Sequence, residues 1–280
     1  MPDGIARVVA KETDENRRLG VIPRLACLEA EDQGVEKVYF CDAALEQVYK
    51  LKHEGQHFCG YRNMQMLLSS LPSGSTTTSS TSTLPHPDPM SRARKATVLT
   101  LQSLVEAAWT AGHNSHSRIE TGGILNTRKH VGTSEAEALF AYLGIRTTAR
   151  VFHGKGCWRE LLDYVQHYFS GEETVKDPGL AKTFSELDVE NVKMTSRPPI
   201  FLQRPRHSLT IVGIEVAPSG KRRLIVFDPG YNPPASLVRA MDREDRKVER
   251  GKEERVLTYC RRGERYLRRF DGFEILHVQA

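Results

Sequence analysis

An α+β fold, with a mostly antiparallel sheet packed against helices, is what this sequence predicts, and three features predict it. Helix-period apolar patterns dominate the first two thirds of the chain. The runs richest in β-branched residues, PPIFLQ, SLTIVGIEVA and RRLIVFD, come late. The last two of these are joined by the turn-like PSGK, which favours an antiparallel hairpin.

Taken in order, residues 1–35 are polar and weakly patterned and read as an N-terminal arm, with a single domain from 36 to 280. VEKVYF (35–40) has the composition of a strand, and the segment up to Lys52 is expected to be a short helix. The Ser/Thr/Pro-rich stretch at about 70–95 has almost nothing to bury. It reads as a disordered insertion inside one core. ATVLTLQSLVEAAWTAG (96–112) reads as a helix closed by Gly112. SEAEALFAYLG (134–144) reads as another, with a capping-box pattern from Ser134 to Glu137. IRTTARVF alternates like a strand and CWRELLDYVQHYFSG like an amphipathic helix. Residues 171–197 read as a surface loop with one short helix, and FEILHV as a closing strand.

The composition narrows the function classes. No apolar run approaches the roughly 18 residues that cross a bilayer, and MPDGIARVVAKETDENRR lacks the apolar centre of a secretory signal. A cytoplasmic or nuclear protein without a membrane partner is the expectation. Five cysteines, with no C-x-x-C pair, argue against a disulfide framework and a thiol-based zinc site. No metal or other cofactor is expected. Between Arg239 and Arg269 there are twelve Lys/Arg and seven Asp/Glu, an excess equal to the net +5 of the chain. DREDRKVERGKEER mixes both signs, as a solvated helix does. RRGERYLRRF is more one-sided and is suited to an acidic partner, but nucleic acid is not expected to be the main one.

GQHFCGYRNMQMLLSSL (55–71) places Cys59 where an apolar helix begins, with residues 64, 67, 68 and 71 on one face. A helix N-terminus lowers a thiol's pKa, because unpaired N–H groups and the helix dipole favour the thiolate. Gly60 permits close backbone approach and offers an N–H to an oxyanion. The competing reading is a buried core thiol. A nucleophile needs a base and an orienter. His207 opens the strand SLTIVGIEV, and Asp228 closes RRLIVFDPG. A hairpin around PSGK, with paired residue numbers summing to about 435, sets His207 opposite Asp228. A surface histidine and an ordinary Asp-Pro-Gly turn are the alternatives. Gln203 and Gln56 are both candidate oxyanion donors.

On CGYRNMQMLLSSL, FLQRPRHSLTIVGIE and LIVFDPG, the chain resembles the zinc-finger-containing ubiquitin peptidase family, papain-like cysteine peptidases related to the proteases for ubiquitin-fold modifier. The likeness runs from about Val38 to the C-terminus, the Ser/Thr insertion excepted. The resemblance implies a papain-like fold in which Cys59 is the nucleophile, His207 the base, Asp228 the imidazole orienter and Gln203 part of the oxyanion hole. KHVGTSEAEALFAYLGI resembles the family's substrate-facing segment, which assigns Glu135 to the basic tail of ubiquitin. Proteases for ubiquitin-fold modifier carry Asp-Pro-His where this chain has Asp228-Pro229-Gly230, favouring the ubiquitin branch. His57-Phe58 replaces a frequent Trp-Gly before the cysteine. The resemblance therefore implies a thiol-dependent deubiquitinase acting after ubiquitin's C-terminal glycine, with ubiquitin or polyubiquitin as partner. A protease for another ubiquitin-like modifier and a non-catalytic modifier- or nucleic-acid-binding adaptor are the alternatives.

Overall fold

A computed structural model describes residues 1–12, 14–71, 89–171, 190–231 and 253–279. The segment read as a polar N-terminal arm contains two helices, α1 (Asp3–Ala10) and α2 (Val21–Glu31). Ile22, Leu25 and Ala26 of α2 are fully buried, spaced as one helical face. Pro23 is tolerated because the first turn of a helix has N–H groups without intrahelical acceptors. β1 (Arg17–Arg18) lies between the helices, and β2 (Lys37–Phe40), after α2, falls inside the expected strand VEKVYF.

The short helix expected up to Lys52 does not form. Asp42 instead accepts the Ala44 N–H at 2.8 Å, a local turn that competes with a helix. β3 (Gln47–Val48) then pairs antiparallel with β1. α3 (Cys59–Ser69) follows. The expected insertion lies mostly outside the described residues, but its end does not. Pro89–Arg94 form α4, with Met90 and Ala93 buried.

α5 (Val98–Thr110) begins where the Thr97 hydroxyl accepts the Thr100 N–H at 3.2 Å, and Gly112 ends it in the left-handed region. α6 (Ser115–Thr121) has no counterpart in the sequence reading. α7 (Thr133–Tyr142) starts ahead of the Ser134–Glu137 pattern. Glu135 reaches back to the Gly132 N–H at 2.7 Å and caps the helix from its third position.

β4 (Thr147–His153) and α8 (Cys157–Ser170) form as their patterns predict. β5 (Val192–Met194) is a strand within the segment read as loop; it pairs parallel to β2, and the rest of that segment up to residue 189 lies outside the described residues. β6 (Ile200–Arg204), β7 (His207–Val216) and β8 (Arg222–Phe227) are the three late strands. The charged run DREDRKVERGKEER lies mostly outside the described residues; α9 (Glu253–Cys260) takes up its end. β9 (Arg261–Gly263), α10 (Glu264–Leu267) and β10 (Gly272–Val278) complete the described chain.

The main sheet runs β4-β10-β6-β7-β2-β5, with β8 on the other edge of β7 and β9 beyond it. Every pair in it except β2–β5 is antiparallel. Both faces are covered. On β6, Ile200 and Leu202 join the core formed with α2 and α8, while Phe201 joins the core formed with α3, α5 and α7. β7 is the centre of this arrangement, and it carries His207 at its first residue. Among the described residues, no helix is long and apolar enough to cross a membrane.

Candidate active site

Cys59 is the first residue of α3, and the helix closes its first turn with Arg62 N–H to Phe58 carbonyl at 3.0 Å. The opening N–H groups have no intrahelical acceptor, so they and the dipole bear on the sulfur. Unlike the one-sided helix expected from residues 64, 67, 68 and 71, α3 is buried on all sides from Gly60 to Leu68. Gly60 is required by close approach: a Cβ there would run into the Val131 carbonyl. The loop before α7 is thereby seated directly on the first turn of α3. Arg62, fully buried, pairs with Glu12 and with Glu54 (Nη2–Oε2 2.5 Å) and donates to Gln65 at 2.9 Å. These bonds tie α3 to the N-terminal segment and to the loop that leads into Cys59.

His207 Nε2 lies 2.7 Å from Asp228 Oδ1, which leaves Nδ1 for the sulfur. The hairpin that joins them is real, but its register differs from the expected one. Thr210 pairs with Phe227 and Ile211 with Val226, so paired numbers sum to 437 at this end. That shift by two puts Gly230, not Asp228, opposite His207. The chain turns back at once: Tyr231 N–H reaches the Asp228 carbonyl at 3.1 Å, and Gly230 N–H reaches Asp228 Oδ1 at 2.9 Å. This Asx turn brings the carboxylate to the imidazole. A Cβ on Gly230 would sit 3.3 Å from His207 Cε1, so a larger residue here would press on the ring.

Asp228 has a further partner that the sequence reading missed. Arg262 Nη2 lies 3.1 Å from Oδ2, while its Nη1 donates to the Tyr259 carbonyl at 2.7 Å. Its guanidinium also lies over the Tyr266 ring, 5.4 Å from the centroid. The only signal was RRG within a charged run, and pairing of β9 with β8 is what brings it to the site.

The three groups hold one another in a charged state. Burial pushes the Cys59 thiol up, but His207, through its hydrogen bond and its charge, and the adjoining Ser208 outweigh it and bring it down to about 6. Burial disfavours the His207 imidazolium, but the hydrogen bonds to Asp228 and Cys59 raise it to about 9. Asp228 is also subject to burial, yet His207, Arg262 and Gly230 N–H leave it below its ordinary value. The outcome is a thiolate–imidazolium pair oriented by a carboxylate, whose two steps belong to the pair and not to either residue. The other cysteines with resolved shifts, Cys41, Cys157 and Cys260, are all raised, chiefly by burial. Cys59 is half-buried, and the His207 and Asp228 side chains keep 19% and 18% exposure, so the sulfur is not sealed in apolar packing.

The remaining expected residues divide. Gln203, on β6, packs beside Gly132, but its Nε2 donates to the Arg204 carbonyl at 3.0 Å and its Oε1 is buried without a partner. Gln56 is exposed. Glu135 is buried, and its two oxygens accept from Ser117 Oγ at 2.9 Å and from Gly132 N–H. In this structure it holds the start of α7 and does not lie on the surface. Because the helix begins earlier than predicted, the residue assigned to the tail of ubiquitin is its cap.

A model of peptidase family C78 matches residues 34–276. Over 177 residues, 61% of this chain, the chain is 31% identical to zinc finger-containing ubiquitin peptidase 1 of Bos taurus, 30% to that of Mus musculus and 29% to that of Homo sapiens. The aligned part spans 27% of the length of each of these curated relatives. Among solved structures, UfSP from C. elegans aligns with a TM-score of 0.46 at 11% identity, over 89% of this chain and 35% of that one.

Proposed function

Because the chain belongs to peptidase family C78, we propose that it is a deubiquitinating cysteine peptidase that hydrolyses isopeptide bonds after the C-terminal glycine of ubiquitin, including those in polyubiquitin chains. The observation that carries this reading is Cys59 at the start of α3 hydrogen-bonded to His207, whose Nε2 lies 2.7 Å from Asp228 Oδ1.

The chemistry follows from those charges. The Cys59 thiolate adds to the glycine carbonyl carbon, and the backbone N–H groups at the start of α3 are the donors nearest the new oxyanion. Gln203 joins them if its amide leaves the Arg204 carbonyl. The His207 imidazolium passes its proton to the lysine amine as the C–N bond breaks, leaving a thioester. The neutral imidazole then takes a proton from water, whose oxygen adds to the thioester. Loss of the C–S bond releases the ubiquitin carboxylate and restores the thiolate. Asp228 keeps the imidazole in one orientation throughout.

Ubiquitin as substrate is supported by the identity to the ubiquitin peptidases named above and by Gly230 in the Asp-Pro-Gly turn. Lysine-linked di-ubiquitin and a lysine conjugate of ubiquitin-fold modifier separate the alternatives. The expected result is thiol-dependent cleavage of di-ubiquitin, abolished by Cys59→Ala and reduced about 10²–10⁴-fold by His207→Ala with folding retained. Preferential cleavage of the ubiquitin-fold modifier conjugate would assign the other substrate. Binding without cleavage of either would make the chain a reader.

A further inference from the structure

α3 packs against β7. Thr210 Oγ1 on the strand donates to Asn63 Oδ1 on the helix at 2.9 Å. Cys59 is one helical turn before Asn63, about 6 Å along the axis at about 1.5 Å per residue. Ser208 is two residues before Thr210 on the same face of the strand, about 6.6 Å at about 3.3 Å per residue. The two spacings match, which points to Ser208 and Cys59 as the pair one step before Thr210–Asn63.

Ser208 is completely buried, and its Oγ has no hydrogen-bond partner. An orphaned buried hydroxyl is destabilising, and such groups need a reason. A neutral thiol is a poor acceptor, whereas a thiolate is a strong one. The partner of this hydroxyl therefore comes into being when Cys59 ionises. We propose that the Ser208 hydroxyl is a second donor to the Cys59 thiolate, acting beside the His207 imidazolium. The polar seam along α3 then has one direction: strand hydroxyls donate to the helix at both rungs. After burial and the His207 bond, Ser208 is the next cause acting on the Cys59 thiol, through its side chain and its backbone.

The inference rests on Cys59 being the reactive thiol, and the test separates the two. The full chain is alkylated with iodoacetamide across a pH series, and each cysteine is followed by mass spectrometry. In the unsubstituted protein, Cys59 alkylates first, with an apparent midpoint on the acid side of neutral. Ser208→Ala is expected to raise that midpoint by about one unit, a tenfold smaller thiolate fraction in acid. Ser208→Thr keeps the hydroxyl and restores the midpoint, while the isosteric Ser208→Val does not. This pair also guards against a packing effect of the smaller residue. Thr210→Val, which breaks only the second rung, leaves the midpoint in place. Superimposable Cys59 titrations for the Ser, Thr and Val forms would overturn the inference. Absence of selective Cys59 labelling in the unsubstituted protein would instead overturn the reading of Cys59 itself.

Discussion

Asp228 is held by more than the imidazole that it orients. Oδ1 accepts from His207 Nε2 and Gly230 N–H, and Oδ2 faces Arg262. A carboxylate fixed at both oxygens keeps the ring from rotating and keeps the imidazolium favoured over the neutral base. Activity is therefore expected on a plateau between about 6, where Cys59 ionises, and about 9, where His207 loses its proton. Below the plateau the thiolate is protonated; above it no proton remains for the leaving amine. Asp228→Asn removes the main support of the raised imidazole pKa, so burial then dominates. A pH–rate profile should show the alkaline limb displaced toward acid by about 1–3 units; an unmoved limb would mean that another group sets it. At this scale the sequence was informative: the positions of His207 and Asp228 at facing ends of a hairpin made their meeting legible. The exact register was not, because it is set by the turn after Val216 and by the β-bulge between Ile211 and Gly213, neither of which the strand pattern marks. Arg262 was illegible, since nothing in a run of arginines marks the one that turns inward.

The helix that carries Cys59 is fixed at its buried polar positions Arg62, Asn63 and Gln65 and on its apolar sides. Arg62, with Glu12, Glu54 and Gln65 around it, is a buried charge whose partners come from three separate segments. Glu12 also accepts the Val98 N–H at 3.1 Å, so the same carboxylate secures the start of α5. Removing one member of a buried ion pair leaves the others uncompensated. Arg62→Met is expected to destabilise the fold by about 3–5 kcal/mol, measured by urea unfolding. A loss under about 1 kcal/mol would show that the network is not a support of α3. Sequence patterns identified α5, α7, α8 and the late strands because each has a clear apolar period. They failed where short-range polar bonds decide: the turn at Asp42, the Glu135 cap that moves the start of α7, and β5, whose three residues are strand only because β2 lies beside them.

At the scale of the molecule, the site sits where the layers meet. α3 belongs to the core on one face of the sheet, whereas His207 and Asp228 are at the ends of two sheet strands. The N-terminal helices are part of this construction: α2 buries its apolar face, and its Glu29 reaches Arg261, the residue next to Arg262, at 2.6 Å. A polar-looking sequence concealed this, because Glu29 reads as a solvent residue and is in fact paired inside. The central claim is that this assembly makes one cysteine of five a nucleophile toward the tail of a modifier. It is tested by incubating the protein with ubiquitin bearing a C-terminal electrophile and mapping the adduct by mass spectrometry, with the same electrophile on ubiquitin-fold modifier in parallel. A single ubiquitin adduct at Cys59, absent in Cys59→Ala and prevented when the protein is unfolded, is the expected result. An adduct spread over several cysteines, or none at Cys59 in folded protein, would contradict it.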